Sequence, residues 1–311
     1  MKPFRKHCAI AIDGGGIRGA MVAKALAVVE EALGEPLGQV CRLTAGTSTG
    51  SIIAAAIAVQ MPAAQVHELY VQLGGVIFRK TWRSWLWPLT RYRYSNRPFI
   101  EALRTYLGDR TMGEFWKADP PMDVVITMHD LVENRTRFVK PWKEEYARFP
   151  VWKAVLASSS VPTYFPVVDG RYVDGGVGSY ANPCYIAAYE AAFCLDWDPA
   201  ETTLISIGTG RAPGGLKPGE ASRFFAWQWI APILDAFIGD ASDQQVRLVQ
   251  QFFPELDFRR FQIDLETSIP MDDPAALPEL TRLGERLGQM ILNDETDPKV
   301  ARPAGKAGAA S

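Results

Sequence analysis

The chain has 311 residues, of which 48% are hydrophobic and 22% are charged, and its formal net charge is −2. This composition is that of an ordinary globular protein, and the near-neutral balance gives no indication of a nucleic-acid polymer as a partner. No stretch supplies about 18 consecutive apolar residues, so we expect no membrane-spanning helix. The four cysteines lack a CxxC spacing, which predicts free thiols, a reducing compartment and hence a cytoplasmic location.

Short apolar runs alternate with segments of helical periodicity, which predicts an α/β fold with a mostly parallel central sheet and helices on both faces. The predicted strands cover residues 8–12, 41–45, 123–128, 136–140, 171–174, 203–207 and 258–263. The predicted helices cover residues 18–33, 51–60 and 152–160. We expect one domain over residues 1–295, including a cap-like segment at 69–100, and a disordered tail at 296–311.

A glycine-rich loop, DGGGIRG at residues 13–19, follows the first predicted strand and opens the first predicted helix. Gly14, Gly15 and Gly16 allow the backbone to adopt positive φ and to turn its N–H groups outward, which suits the binding of an anion. The same loop satisfies GxGxxG, which is typical of dinucleotide-binding folds. Such folds place an acidic residue about 20 positions later, at the end of the next strand, whereas Glu35 lies in the loop before that strand. This weakens the dinucleotide interpretation without removing it.

A GxSxG sequence, GTSTG at residues 46–50, lies between the second predicted strand and an apolar helix. This context is typical of a nucleophile elbow, in which a strained turn exposes a serine and its neighbours must be small. Gly46 and Gly50 meet that requirement around Ser48, and the dipole of the following helix favours negative charge there. A plain glycine-rich turn is the structural alternative, and we interpret Ser48 as a candidate nucleophile.

A serine nucleophile needs a base, and the chain has only three histidines, none of them after residue 129. The order Ser–Asp–His of α/β-hydrolases is thereby excluded. The remaining candidate base is Asp174, which ends a predicted strand and is followed by Gly175 and Gly176. A carboxylate with an ordinary pKa of about 3.9 is a weak base, so we expect burial to raise its basicity. The alternative for Asp174 is a structural Asp-Gly turn.

The three elements DGGGIRG, GTSTG and DGG resemble, in order and spacing, the motifs of the patatin-like phospholipases. LASSSVPTYFPVV (156–168), LISIGTG (204–210) and FRRFQIDL (258–265) resemble further parts of that family, so the resemblance extends over residues 8–265. It implies a patatin-like, three-layer α/β/α sandwich. It also implies hydrolysis of a glycerolipid ester through an acyl-enzyme, without a metal or another cofactor.

Carried over residue by residue, the resemblance implies that Ser48 is the nucleophile and Asp174 the base. It also implies the residues that surround them, which are the oxyanion-hole glycines Gly14, Gly15 and Gly16 and the supporting residues Arg18, Gly46, Gly50, Gly175 and Gly176.

A segment rich in aromatic and basic residues, FRKTWRSWLWPLTRYRY at 78–94, contains no acidic residue. Indole rings prefer the headgroup region of a bilayer, and cationic groups are drawn to anionic lipid. We therefore expect Trp82, Trp85, Trp87 and Arg83 to form a membrane-docking surface, with peripheral attachment to the membrane when the protein acts. The alternatives are that these rings pack as a cap over the sheet or that they stack with nucleic-acid bases.

The leading functional interpretation is a serine hydrolase that cleaves the acyl esters of membrane phospholipids. A narrower version is an antiphage defence effector that stays silent until a small nucleotide, such as a cyclic nucleotide, activates it. Two alternatives stay open: a non-catalytic lipid- or nucleotide-binding module, and an esterase or thioesterase without membrane preference. The sequence also leaves open the acyl position, the headgroup preference and assembly into a homo-oligomer.

Overall fold

Seven strands form one sheet in the computed structural model, which describes residues 1–87, 89–213 and 215–300. The strands are β1 His7–Ile12, β2 Leu43–Gly46, β3 Asp123–Asp130, β4 Arg135–Val139, β5 Tyr172–Asp174, β6 Thr202–Ile207 and β7 Asp257–Phe261. Their order across the sheet is β4-β3-β2-β1-β6-β7, and β5 pairs with β3. Only β4 and β5 run antiparallel to their neighbour within the described residues, so the predicted mostly parallel sheet is confirmed.

The helices of the described residues lie on both sides of this sheet. In chain order they are α1 Gly19–Leu33, α2 Leu37–Val40, α3 Thr49–Ala58, α4 Ala63–Ile77, α5 Trp82–Trp85, α6 Arg97–Leu107, α7 Glu114–Lys117, α8 Glu144–Ala147, α9 Val151–Ser158, α10 Cys184–Tyr189, α11 Ile230–Phe252 and α12 Leu277–Leu292. Across the part of the chain that the structure describes, none of them combines the length and apolar character needed to cross a membrane.

The two faces of the sheet carry separate helical layers. Successive side chains of a strand point to opposite faces, and β1 shows the result. Ile10 and Ile12 pack with α1 and α12, whereas Ala9 and Ala11 pack with α10 and α11. Because both faces are covered, β2 and β6 are buried along their whole length rather than at alternate residues. The predicted three-layer α/β/α sandwich is confirmed.

The predicted strands and helices are all present, with bounds that differ by at most two residues from those predicted. The cap-like segment at 69–100 comprises the end of α4, α5 and the start of α6. The expected tail, however, begins too early. Asp297 is only 3% exposed, its carboxylate pairs with Arg211, and residues 298–300 form a 3₁₀ turn. Residues 301–311 lie outside the described residues.

β2 and β5 occupy the same edge of β3 in succession, and this arrangement positions the candidate site. β2 pairs with the first half of β3 and ends at Gly46, whereas β5 pairs with its last three residues and ends at Asp174. Arg171, just before β5, anchors the short strand by donating from Nε to the buried Asp130 carboxylate at 3.2 Å. The carboxyl end of β2 and the last residue of β5 therefore meet at one point of the sheet.

Candidate active site

Ser48 lies in a strained turn between β2 and α3, with φ 54° and ψ −126°. Residues other than glycine rarely adopt positive φ. The flanking glycines are required by space, since a Cβ on Gly46 would lie 2.2 Å from the Gly50 oxygen and one on Gly50 would lie 2.1 Å from the Ile12 oxygen. The Ser48 N–H donates to the Ser158 hydroxyl at 2.9 Å, which holds the turn from the side of α9. This is the geometry of a nucleophile elbow.

Asp174 ends β5 and is 5% exposed. Its Oδ1 accepts a hydrogen bond from the Gly176 N–H at 2.8 Å, within the 3₁₀ turn that Gly175 begins, and its own N–H donates to the Ser160 oxygen at 3.1 Å. Its Oδ2 accepts no hydrogen bond of good geometry from the described residues. Ser48 and Asp174 line the same small cavity, so the structure brings together the two residues that the sequence selected.

Burial raises the pKa of Asp174 to about 6, well above that of an ordinary aspartate. The Ser48 hydroxyl and the Gly176 N–H act in the opposite direction, because hydrogen bonds to a carboxylate lower its pKa. A carboxylate in this range is ionised at neutral pH and more basic than a solvated one, which is what proton abstraction from a hydroxyl requires.

The glycine loop offers two outward N–H groups rather than the three expected. The Gly14 N–H donates to the Ala181 oxygen at 2.8 Å, so it is not available to an oxyanion, and the expectation for Gly14 is wrong. The N–H groups of Gly15 and Gly16 make no hydrogen bond within the described part of the chain. Gly15 lines the cavity that Ser48 and Asp174 share, and Gly16, at φ 59°, lines the pocket beside it.

Arg18 supports the glycine loop from within the protein, where it is 7% exposed. Its backbone N–H and its Nε each donate to the Gly15 oxygen at 3.2 Å, and its guanidinium reaches the Gly210 oxygen at 3.5 Å. A guanidinium stays protonated in proteins, so it places a fixed positive charge beside the loop. The sequence had identified Arg18 only as a charged neighbour, and the structure gives it these contacts.

The dinucleotide interpretation of this loop fails on distance. Glu35, the acidic residue nearest the expected spacing, is exposed beyond the far end of α1. α1 starts at the glycine loop and has 15 residues, which at 1.5 Å per residue place Glu35 about 22 Å away. No carboxylate at that distance can hold the ribose of a nucleotide whose phosphates bind the loop.

A larger pocket opens beside Ser48, and its lining is almost wholly apolar. It encloses about 990 Å³, its opening to solvent included. Ile52 and Ala56 line it on successive turns of α3. Further lining comes from Val66, Leu69, Leu73 and Ile77 of α4 and from Phe99, Ala102 and Leu103 of α6. A deep apolar pocket with a hydroxyl at its mouth is suited to an acyl chain.

The sequence does not predict this pocket, although the apolar spacing of residues in α4 indicates one of its walls. Residues 66, 69, 73 and 77 are apolar at the i, i+3, i+7 and i+11 positions of a helix, which marks one face of α4. That pattern shows which face is buried, whereas the partner helix α6 and the space between them follow from tertiary packing.

The aromatic and basic segment presents a different set of side chains from the expected one. Trp82 is 62% exposed and Trp85 83%, as a docking surface requires. Leu86 and Leu89, which sequence analysis did not single out, are also exposed, at 51% and 88%. These four apolar side chains form the outward surface of the segment.

Two of the expected docking residues are engaged within the protein. The Arg93 guanidinium lies over the Trp87 ring at 4.3 Å, so Trp87 does not point freely into solvent. Arg83 lies between the rings of Trp82 and Tyr92, at 4.8 and 4.9 Å. Such cation–π contacts order the segment, and Trp87 and Arg83 hold its shape.

The same segment packs beside the apolar pocket. The Arg93 N–H donates to the Thr163 oxygen at 2.9 Å, and the Tyr94 N–H donates to the Tyr164 oxygen at 2.8 Å. Tyr164 lines the pocket, and so does Phe78, at the start of the segment. The exposed tryptophans therefore belong to a segment that packs against the lining of the pocket.

Comparison with known proteins agrees with this geometry. The sequence model of the family described as patatin-like phospholipase matches residues 10–188, which is more than half of the chain. The chain belongs to the patatin-like phospholipase family. The match runs from β1 to α10 and includes the glycine loop, Ser48 and Asp174.

This member of the family is similar to a calcium-independent phospholipase A2-gamma of Rattus norvegicus, with 25% identity over 94% of the chain and 39% of that protein. It is also similar to a cGAMP-activated phospholipase of Pseudomonas aeruginosa, with 26% identity over 82% of the chain and 77% of that protein. The chain thus spans well under half the length of the first of these relatives. Among solved structures, VipD from Legionella pneumophila aligns with a TM-score of 0.48 and 11% identity, over 94% of the chain and 67% of that structure.

Proposed function

We propose that this chain is a serine hydrolase that cleaves the fatty-acyl esters of phospholipids, with Ser48 as nucleophile and Asp174 as base. The observation that carries the proposal is that Ser48 lines both cavities at once: one is shared with Asp174 and Gly15, and the other is apolar and encloses about 990 Å³, its opening to solvent included. The names of the relatives support a phospholipid as the substrate.

In the first half of the reaction, the Ser48 hydroxyl attacks the ester carbonyl while its proton passes to Asp174. The carbonyl oxygen becomes an oxyanion, which the N–H groups of Gly15 and Gly16 stabilise. The intermediate then expels the lysolipid alkoxide, which takes the proton from Asp174. The products of this half are the lysolipid and an acyl group bound as an ester to Ser48.

In the second half, water attacks the acyl-enzyme and gives its proton to Asp174. The same two N–H groups receive the second oxyanion, and collapse of the intermediate returns the proton to the Ser48 oxygen. The free fatty acid then leaves through the apolar pocket. One carboxylate thus serves both steps because it is ionised at the start of each and protonated between attack and departure.

The test of the proposed reaction is release of free fatty acid and lysolipid from mixed phospholipid vesicles, detected by mass spectrometry. Reaction with a fluorophosphonate, which labels activated serines, and mapping of the labelled peptide provide a readout that does not depend on the choice of lipid. We expect both products and a label on Ser48. Labelling at another residue would contradict the assignment of the nucleophile, and a labelled protein that cleaves only short monomeric esters would favour the esterase alternative.

We propose further that the segment 78–94 binds the lipid surface from which the substrate is drawn. Its exposed apolar side chains, Trp82, Trp85, Leu86 and Leu89, lie among basic residues, and the segment contains no acidic residue. Each basic residue close to an anionic surface contributes about 1 kcal/mol of attraction, and the indole rings enter the headgroup layer.

Replacement of both Trp82 and Trp85 by Ala is expected to weaken binding to anionic vesicles by about 10-fold or more, because each exposed indole contributes apolar area to the contact. The measurement is vesicle co-sedimentation at several salt concentrations. Binding of the unmodified protein should also weaken with salt, since exposed charges are screened within about 10 Å at 0.1 M.

The matched control for this pair is Trp116→Ala. Trp116 is 42% exposed but lies in α7, which precedes the amino end of β3. Ser48 follows the carboxyl end of the parallel strand β2, so the two residues are at opposite ends of the strands. We expect it to leave vesicle binding unchanged. Equal loss of binding in the control and in the double variant would contradict a localised docking surface.

Replacement of Ala102 by Phe is expected to shorten the preferred acyl chain, because Ala102 lines the apolar pocket from α6. Each buried methylene contributes about 0.8 kcal/mol, so exclusion of three or four should lower kcat/KM for long-chain esters roughly 100-fold. Butyryl esters should be cleaved as before. The measurement is kcat/KM over a chain-length series, with Ala64→Phe, at an exposed position of α4, as control. Equal loss for short and long chains would show general damage rather than a blocked pocket.

We also propose that a nucleotide of the cGAMP kind activates the enzyme. Support comes from the similarity to the cGAMP-activated phospholipase of Pseudomonas aeruginosa, which covers most of both chains. The vesicle assay with and without added cGAMP tests this directly. Release that is equal under the two conditions would contradict it.

A further inference from the structure

Thr209 occupies a turn whose shape is fixed on both sides. It follows β6 and is 3% exposed. Before it, the Gly208 N–H donates to the Phe261 oxygen at 2.9 Å; after it, the Gly210 N–H donates to Gln262 Oε1 at 2.9 Å. Two adjacent anchors on the β7 side leave the threonine side chain little freedom, so its hydroxyl has a defined position.

That hydroxyl donates to the Gly14 oxygen at 2.6 Å. Thr209 also packs closely against Gly15, since a Cβ on Gly15 would lie only 2.3 Å from Thr209 Oγ1. The second glycine of the loop is thus explained in part by Thr209, because any side chain on residue 15 would displace it. The sequence of residues 204–210 predicts a strand and gives no indication of this contact.

The direction of this hydrogen bond determines the direction of the next N–H group. The peptide bond between Gly14 and Gly15 is trans, as the only cis bond of the described residues is Asp119–Pro120. In a trans peptide the C=O and the N–H point in opposite directions. When Thr209 holds the Gly14 oxygen, the Gly15 N–H therefore points away from Thr209.

The Gly15 N–H has no protein partner within the described residues, and Gly15 lines the cavity that contains Ser48 and Asp174. We infer that Thr209 is a positioning residue for catalysis, which aims the Gly15 N–H at the oxyanion through the Gly14–Gly15 peptide. The inference rests on the proposed reaction at Ser48. Thr209 is not among the described residues that line either cavity, so its role is positioning and not contact with the substrate.

Arg18 acts on the adjoining peptide in the same manner. It holds the Gly15 oxygen, so the Gly16 N–H points away from Arg18, and its reach to the Gly210 oxygen ties the glycine loop to the Thr209 turn. A hydroxyl and a guanidinium thus orient two consecutive peptides. Backbone donors act in catalysis when they are oriented before the charge develops, because no energy is then spent on turning them.

The test compares Thr209→Val, which keeps the shape but removes the hydroxyl, with Thr209→Ser, which keeps the hydroxyl. Loss of an oxyanion donor lowers kcat about 10²–10³-fold, and a misdirected donor should cost less, so Thr209→Val should lower kcat about 10–100-fold. KM for the same vesicle substrate should stay unchanged, and Thr209→Ser should stay within about threefold of the unmodified enzyme. Labelling of Ser48 by fluorophosphonate should slow in parallel with kcat, because the phosphoryl oxygen occupies the same place.

The control is Thr202→Val at the start of β6, the strand that precedes Thr209, where a buried hydroxyl donates to the Asp198 oxygen at 2.7 Å far from the site. It should lose stability to a similar degree without loss of kcat. If Thr209→Val does not fold, Thr209→Ala, which also lacks the hydroxyl but is smaller, replaces it with the same expectation.

Two results would overturn the inference: a hydroxyl-free variant that keeps its kcat, or a Thr209→Ser variant as slow as Thr209→Val. Failure of the proposed function would give a different result from failure of this inference. If Ser48→Ala is as active as the unmodified protein, the reaction at Ser48 is wrong. If Ser48→Ala is inactive while Thr209→Val is fully active, only the role of Thr209 is wrong.

Discussion

Replacement of Ser48 by Ala is expected to lower the release of fatty acid from vesicles by at least about 10⁴-fold, because no other group can form the acyl-enzyme. The fold should persist, because the hydrogen bond from Ser48 to Ser158 is donated by the backbone N–H and does not involve the side chain that is removed. The residual rate would come from the oxyanion hole and from substrate binding alone. Binding of the variant to vesicles should equal that of the unmodified protein, because Ser48 lies outside the segment 78–94.

The control for Ser48→Ala is a second serine whose replacement should not change the release of fatty acid. Ser222→Ala serves, since its hydroxyl is exposed and bonds only its own turn at Gly219. Fatty acid release by Ser48→Ala equal to that of Ser222→Ala would mean that the chain does not act as a serine hydrolase. The non-catalytic lipid-binding alternative would then become the better interpretation.

Replacement of Asp174 by Asn is expected to lower kcat about 10²–10⁴-fold, since the amide cannot accept the Ser48 proton. The Asn side-chain oxygen can still accept the Gly176 N–H, so the turn should remain intact. In the unmodified enzyme, kcat/KM should rise as the pH passes upward through about 6, where Asp174 ionises. The measurement is the pH profile of vesicle hydrolysis for both proteins. A flat profile in the unmodified enzyme would contradict Asp174 as the base.

The same substitution is expected to stabilise the protein at pH 7. A carboxyl whose pKa is raised by folding favours the folded state while it is protonated, and that contribution is lost as pH rises from about 4 to about 6. The difference corresponds to roughly 3 kcal/mol, which sets an upper limit on the gain from an uncharged Asn at pH 7. The change in the free energy of unfolding is measured with urea at pH 7 and below pH 4, and Asp109→Asn, at an exposed position, is the control. A gain that is equal at both pH values would indicate packing rather than ionisation.

The strands and the two catalytic candidates could be predicted because each has its own local signature. A parallel strand covered on both faces is a short apolar run, and a nucleophile elbow requires Gly46 and Gly50 around Ser48. No local pattern shows that the Gly14 N–H is taken by the Ala181 oxygen, because that partner comes from a distant part of the chain.

The same limit explains the docking segment and the pocket. A run of aromatic and basic residues does not show which side chains point into solvent. Trp87 differs from Trp85 only because the Arg93 guanidinium lies over its ring, and that contact depends on the folded structure. The apolar pocket lies between α4 and α6, whose relative placement no periodicity defines. Local patterns in the sequence therefore predict the candidate residues for the chemistry, whereas the space around those residues follows from tertiary packing.

The short strand β5 allows the candidate site to open locally while the body of the sheet stays folded. Three residues pair it to β3, and the salt bridge from Arg171 to Asp130 holds its start. Elements with so few hydrogen bonds open locally at a lower free energy than the body of a fold. Opening of β5 would carry Asp174 away from Ser48 while the parallel strands stay paired, so a damaged or half-folded molecule would be inert toward membranes before it lost its shape.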